Sequence, residues 1–247
     1  RYNFSTNAYY ASSAAADKFS SGVAFTSDNN YFVTTNMSGA RYMFAGCIKL
    51  QRLTLDSFGT RAAGVDLHFF ADSCVSLRSA EVTDLSNRTT ATGQTTIGRF
   101  FRNCSSLEEV KMKNVGNGAV ASSYTGRTLY ATSMFESCTS LKAIDITSCF
   151  NADNPRTGNM FVQCKALKTI KFTDCFNGNI YNQSASKSNT SQVISSSLDT
   201  SGSSGASVEL NNVGNGDNAV LRYFLNSAAW LKSLKMTNVG NGANAKL

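Results

Sequence analysis

Apolar positions along this chain recur as triplets with constant internal spacing. Leu141, Ile144 and Ile146 lead to Cys149, and Leu167, Ile170 and Phe172 lead to Cys175. The same spacing, closed by an apolar residue, holds for Leu50/Leu53/Leu55/Phe58, Leu107/Val110/Met112/Val115 and Leu231/Leu234/Met236/Val239. Leu77/Ala80/Val82/Leu85 carries a small residue in the middle, and Gly205/Val208/Leu210/Val213 and Val23/Phe25 are degenerate. With the third apolar residue as the mark, the series runs Phe25, Leu55, Val82, Met112, Ile146, Phe172, Leu210, Met236, in steps of 30, 27, 30, 34, 26, 38 and 26 residues. A second pattern keeps phase with the first. Phe44, Cys47 and Leu50 are spaced by three, as are Phe101/Cys104/Leu107, Phe135/Cys138/Leu141 and Phe161/Cys164/Leu167. Phe70 to Leu77 and Phe224 to Leu231 read as one residue longer.

The triplets match the template L-x-x-L-x-L-x-x-N/C, and two patterns in register are far more specific than one. Spacing by three places Phe, Cys and Leu on one side of a short helical turn. Alternation then places two side chains on one face of a short strand. One such unit cannot bury its inner face, so units must stack. The predicted fold is an α/β solenoid of about eight leucine-rich-repeat coils, each a short helical turn plus a short strand, with one parallel sheet. Residues 1–32 read as a degenerate N-terminal coil or cap. Residues 33–247 read as one continuous solenoid with a long polar loop over 177–207.

Composition narrows the class. Hydrophobic residues make up 42% and charged residues 16%, too apolar for disorder, and no segment approaches the length needed to span a bilayer. Net charge is +7 with a pI near 9.1. That balance suits acidic glycans, nucleic acid or anionic lipid, or serves only solubility. With no block of five Lys or Arg, no specific nucleic-acid partner is expected.

Five of the seven cysteines share one repeat position, while Cys149 and Cys175 share another where other units carry Val, Leu or Phe. Such slots suit buried free thiols. The alternatives are a metal site or a disulfide, with Cys149–Cys175 the pair to check. There is no C-x-x-C, and His68 is the sole histidine, so no metal and no cofactor are expected. Val-Gly-Asn-Gly recurs at 115–118, 213–216 and 239–242, with Phe176-Asn177-Gly178 as a variant. Gly and Asn tolerate positive φ, so these read as corners leaving the strand. No Lys-Ser/Thr helix follows to make a phosphate loop.

Resemblance adds to this. The run [Met/Phe]-Phe-x-x-Cys-x-x-Leu-x-x-Ile-x-Ile, best at residues 43–58, 101–115, 134–149 and 160–175, resembles the BspA-like leucine-rich repeats of surface proteins. Thr35-Asn36-Met37-Ser38 is similar to the linker of that family. The steps of 34 and 38 residues and the Val-Gly-Asn-Gly corners depart from the shorter, regular family repeat. The resemblance implies a bacterial cell-surface adhesin, and similar repeats occur in phage tail fibres.

No catalytic constellation emerges. His68 has no definable base partner, and nothing selects a carboxylate pair for glycoside hydrolysis. The exposed strand positions are richer. Arg78, Lys142, Lys168 and Lys232 follow the Leu, and Lys111, Lys171 and Lys235 lie between the later apolar residues. Thr26, Thr83, Thr147, Thr173 and Thr237 follow the triplets. These seven cations form the candidate binding face; a soluble strand face with Thr chosen for propensity is the plainer alternative. The expected function is a non-enzymatic extracellular binding or adhesion protein presenting this surface to a protein or glycan on a host or cell. The alternative is a structural component of a phage virion or extracellular fibre. Localisation is then extracellular, at a cell surface or on a virion. The last coil, with Met236 and Val239, has no following neighbour in the pattern. More chain, another copy or a different partner is expected to cover it, by self-association or incorporation in a larger assembly.

Overall fold

The computed structural model describes residues 24–27, 39–58, 65–85, 95–117, 129–152, 155–178, 205–217, 219 and 231–245. Apart from 24–27, the expected cap over 1–32 lies outside them, as does most of the 177–207 loop.

The triplets form an all-parallel sheet. Its strands are β1 (Ala24–Ser27), β2 (Arg52–Asp56), β3 (Ser79–Thr83), β5 (Glu109–Lys113), β7 (Ala143–Thr147), β9 (Thr169–Thr173), β10 (Ala206–Val213) and β11 (Leu231–Val239). They lie side by side in chain order. Strands β2, β3, β5, β7 and β9 each bury two residues and turn the alternate ones outward, as in Glu109–Lys113, where Val110 and Met112 point inward. Register follows the inward pairs: Leu53↔Ala80, Ala80↔Val110, Val110↔Ile144, Ile144↔Ile170 and Ile170↔Val208. A slip by one would turn every inward side chain outward, so burial sets the pairing. In β1, Phe25 pairs with Leu53, not Leu55. The first unit is therefore displaced by two residues from the sequence reading, and Thr26 faces Thr54.

The second side of each unit differs from expectation. Among the described residues there is no helix; the Phe-Cys-Leu segments are successive turns. Every second N–H closes a local turn, with Met43 donating to the Ala40 carbonyl at 3.2 Å, Ala45 to Tyr42 at 3.1 Å and Cys47 to Phe44 at 3.0 Å. The alternate N–H groups reach the next unit: Ala40 to Asp66, Phe44 to Phe70 and Gly46 to Asp72, all at 2.8 Å. The pattern continues through Leu67→Thr96, Ile97→Tyr130 and Ala131→Arg156. A helix would spend these donors inside its own segment and leave nothing to join the units. Left-handed residues four apart enforce the alternation, at Tyr42 and Gly46, Phe69 and Ser73, Arg99 and Asn103, Ser133 and Ser137, Asn159 and Gln163. A short second sheet, β4 (Thr95–Thr96), β6 (Leu129–Tyr130) and β8 (Pro155–Arg156), leads into these turns.

The same hydrogen bonds align Phe70 with Met43, Phe100, Met134 and Met160, and Ala71 with Phe44, Phe101, Phe135 and Phe161. The Phe70–Leu77 segment thus contains no insertion. Leu50, Leu77, Leu107, Leu141 and Leu167 form one fully buried column. Phe101–Phe135 and Phe135–Phe161 stack at 5.7 and 5.4 Å between neighbouring units.

All seven cysteines are free and buried, and their role is polar as well as apolar. The thiols of Cys74, Cys104, Cys138 and Cys164 donate to the carbonyls of Phe44, Ala71, Phe101 and Phe135 at 3.0–3.1 Å. Each acceptor lies one unit back, three residues before the preceding Cys. A thiol fills this apolar slot as a small hydrophobe and still offers a weak donor.

The corner after the strand repeats too. Gly116, Gly214 and Gly240 have φ of 69°, 67° and 70°; Phe150 and Phe176 adopt the same left-handed conformation and bury their rings instead. The asparagine that follows is not there for positive φ, contrary to the sequence reading. It builds a ladder: Asn151 N–H donates to Asn117 Oδ1 at 3.1 Å, Asn177 to Asn151 and Asn215 to Asn177 at 2.8 Å, and Asn241 to Asn215 at 2.7 Å. The amide groups of Asn151, Asn177 and Asn215 donate forward to the carbonyls of Asp174, Asn212 and Asn238. One residue later the backbones approach so closely that a Cβ at Gly216 would lie 2.2 Å from the Gly178 carbonyl oxygen.

Candidate binding surfaces

Two outward surfaces carry chemistry, and the sheet face is the one anticipated. Its central row reads Thr54, Glu81, Lys111, Asp145, Lys171, Glu209, Lys235, each residue in register with the next. Acid and base alternate from Glu81 onward. Lys171 pairs with Asp145 at 3.8 Å and Lys235 with Glu209 at 2.8 Å. Just before the strands, Arg78, Glu108, Lys142 and Lys168 follow one another from unit to unit, and Lys142 pairs with Glu108 at 2.5 Å. Hydrogen bonds from Lys235 and Lys142 hold the Glu209 and Glu108 carboxyls below their ordinary range. Exposed pairs of this kind add little to stability, because solvent and salt screen them. Their consequence is that Lys111, Lys171 and Lys235 are interleaved with acids and make no basic stripe. Lys232 lies at the start of the outermost strand, exposed. Thr83, Thr147, Thr173 and Thr237 form a further outward row with Lys113 and Asn211.

Two shallow depressions lie on this face. One of about 330 Å³ is bounded by Arg52, Thr54, Ser79, Glu81, Glu109 and Lys111. Its neighbour of about 310 Å³ is bounded by Glu81, Thr83, Lys111, Lys113, Asp145 and Thr147. Both present mixed charge and hydroxyls, the first over Leu53 and Ala80 and the second over Val82 and Met112.

The other surface lies where the turns face outward. The left-handed residue at the first turn position is Tyr42, Phe69, Arg99, Ser133 and Asn159 in successive units. Tyr42 stacks on Phe69 at 4.9 Å, almost parallel. The Arg99 and Arg102 guanidinium carbons sit 5.4 and 4.8 Å from the Phe69 ring centre. His68 stacks on Phe69 at 4.3 Å and meets Tyr130 at 5.9 Å, although one unit lies between them. Gly98 in the intervening unit permits this, since a Cβ there would lie 2.9 Å from Tyr130. Arg156 covers Tyr130 at 5.2 Å and Arg41 covers Tyr42 at 5.7 Å. Arg102 makes a two-pronged pair with Asp72, Nε to Oδ1 at 2.7 Å, which raises its already high pKa. Arg41 reaches Asp66 at 3.6 Å and donates to His68 Nδ1 at 3.3 Å. Burial, and then the neighbouring guanidinium groups, lower the His68 pKa below 6.5 against the pull of Asp66.

Sequence reasoning missed this cluster. Its residues change type from unit to unit, so no periodic signal marks them. Counting back from each Cys finds them: the position five before Cys47, Cys74 and Cys104 is Tyr42, Phe69 and Arg99. Among the described residues no helix is long and apolar enough to cross a membrane. No family model, curated protein or solved structure matches the chain.

Proposed function

We propose that this chain is a leucine-rich-repeat solenoid acting as a non-enzymatic extracellular binding protein, its sheet face presented to a protein or glycan partner. The observation that carries the reading is the contrast between inward and outward columns. The inward columns of the sheet hold Leu, Ile, Val, Ala, Met or Phe at every step from β2 onward. The outward rows change from Thr to Glu to Lys to Asp on the same framework. A rigid scaffold with a variable polar face is the arrangement recognition surfaces require. The test is binding of the labelled chain to protein and glycan arrays, repeated with Lys111→Glu/Lys171→Glu. Partner capture lost in the charge-reversed chain, with its thermal midpoint unchanged, supports the reading. Capture that the reversal leaves intact removes the sheet face from the function.

A second reading, a structural part of a virion or extracellular fibre, is favoured by β11. Leu234 and Met236 occupy core columns, in register with Val208 and Leu210, yet are 41% and 45% exposed. Each large apolar side chain left in water forgoes about 1.5–3 kcal/mol of burial. Light scattering distinguishes the readings: an assembly that Met236→Lys dissolves supports a fibre, and a monomer at all concentrations excludes self-assembly.

A further inference from the structure

We propose that the aromatic–arginine surface around Phe69 is a second binding site, one that takes a carboxylate-bearing sugar of an acidic glycan. The inference rests on the reading of the chain as a binding protein, but not on the sheet face having that role. Three features select the ligand class.

The first is the platform. Tyr42, 40% exposed, and Phe69 are stacked rings on adjacent units, with Tyr130 two units further on. Tyr42 is an exposed ring beside polar groups, with half-buried Phe69 and Tyr130 behind it, and such a ring suits the apolar C–H face of a pyranose.

The second is the charge balance. Arg41, Arg99, Arg102 and Arg156 face three carboxylates, Asp66, Asp72 and Glu136. Asp66 and Asp72 engage Arg41 and Arg102, while Arg99 and Arg156 lie against rings. Among the described residues Arg99 and Arg156 make no ion pair, one lying on Phe69 and the other on Tyr130, and either guanidinium can fork onto a carboxylate. The aspartates accept hydroxyl hydrogens and repel a run of phosphates. A hydroxyl-rich monoanion fits this mixture; a nucleic-acid backbone, which needs several uncompensated cations, does not.

The third is unsatisfied hydrogen bonding. Arg41 can only donate, so His68 Nδ1 accepts and the neutral ring carries its proton on Nε2. Among the described residues, that Nε2 and the Nε of Arg99 are both without a hydrogen-bond partner. Two donors on side chains packed against the same Phe69 ring lack an acceptor, and buried donors are rarely left so. A sugar carboxylate or hydroxyl, with a small shift of these side chains, supplies it.

The test is calorimetric titration of the full chain with 3′-sialyllactose, trigalacturonic acid, neutral lactose and a thymidine oligonucleotide. At least one acidic sugar should bind, with lactose weaker by about tenfold or more. Arg99→Gln/Arg156→Gln should lose a similar factor, and Tyr42→Ala should weaken binding without changing the acid-over-neutral preference. Lys111→Glu/Lys171→Glu should bind the acidic sugar normally, which separates this site from the sheet face. Thermal midpoints confirm folding, and Tyr42→Ala, at an exposed ring, serves if the double variant unfolds. Failure of both acidic sugars to bind overturns the inference. So does equal binding of lactose, or unchanged affinity in folded Arg99→Gln/Arg156→Gln and Tyr42→Ala. Oligonucleotide binding that is tighter than the sugars and is lost in the same variants assigns the surface to a polyanion instead.

Discussion

At the scale of single residues, each repeat position answers to one physical demand. Gly216 has carbonyl oxygens of the preceding unit where its Cβ would be. Gly216→Ala should therefore cost about 3 kcal/mol or more, since the clash is with backbone. Gly46 has open space around it and φ of 71°. Gly46→Ala should cost only the left-handed penalty, about 1–2 kcal/mol. Thermal denaturation of the two variants checks the contrast. The cysteines make a pH statement. Burial pushes the Cys47 and Cys175 thiols up to about 12 from 9.0. The folded state favours the protonated thiol, so this contribution is complete below pH 9. It is lost as the pH rises from 9 toward 12, because the unfolded chain releases the proton first. A disulfide-exchange reagent at pH 8 should find no reactive thiol among the seven in the native protein, and all seven after denaturation. Rapid native reaction at Cys104 or Cys138 would show that the column is open to solvent.

At the scale of elements, strands were legible in the sequence and turns were not. Alternation such as Val110-x-Met112 admits one interpretation once a neighbour must be stacked on it. Apolar spacing by three, as in Phe101/Cys104/Leu107, is shared by a helix and by a run of turns. The deciding factor is where alternate N–H groups go, and that depends on the next unit, about 30 residues away in the chain. Left-handed Arg99 and Ser133 gave no warning, because neither residue type favours that conformation. The asparagine ladder was half legible. The repeated corner was visible, but bonding from Asn117 through Asn151, Asn177 and Asn215 to Asn241 requires the units to be in contact. Strand polarity gives the prediction at this scale. Ile146→Ala in β7 should cost about 2–5 kcal/mol, whereas its outward neighbour Asp145→Ala should cost about 0.5 kcal/mol, by chemical denaturation. Equal effects would place both side chains on one kind of surface.

At the scale of the molecule, two ladders divide the labour: the sheet runs from β1 to β11, and among the described residues the turn ladder runs from Ala40 to Val162. The sheet holds register through buried Leu, Ile and Val, and the turn side holds it through alternate N–H groups, thiols and stacked phenylalanines. Steps of 26 and 38 residues coexist with unbroken strand pairing. Both outward surfaces are read across units rather than within one, so any function they carry depends on the units being stacked in chain order. Pulsed electron resonance distances between spin labels test that order most directly. Cysteines placed at Thr54, Glu81, Lys171 and Lys235 can be labelled selectively, since the native thiols are buried. At about 4.8 Å per strand step, Glu81–Lys171 should be separated by about 14 Å, Thr54–Lys171 by about 19 Å and Thr54–Lys235 by about 29 Å, before label length is added. Distances that rise by equal increments with the number of intervening strands are the predicted result. A Thr54–Lys235 distance no longer than Glu81–Lys171, or increments out of chain order, would contradict the stacked arrangement.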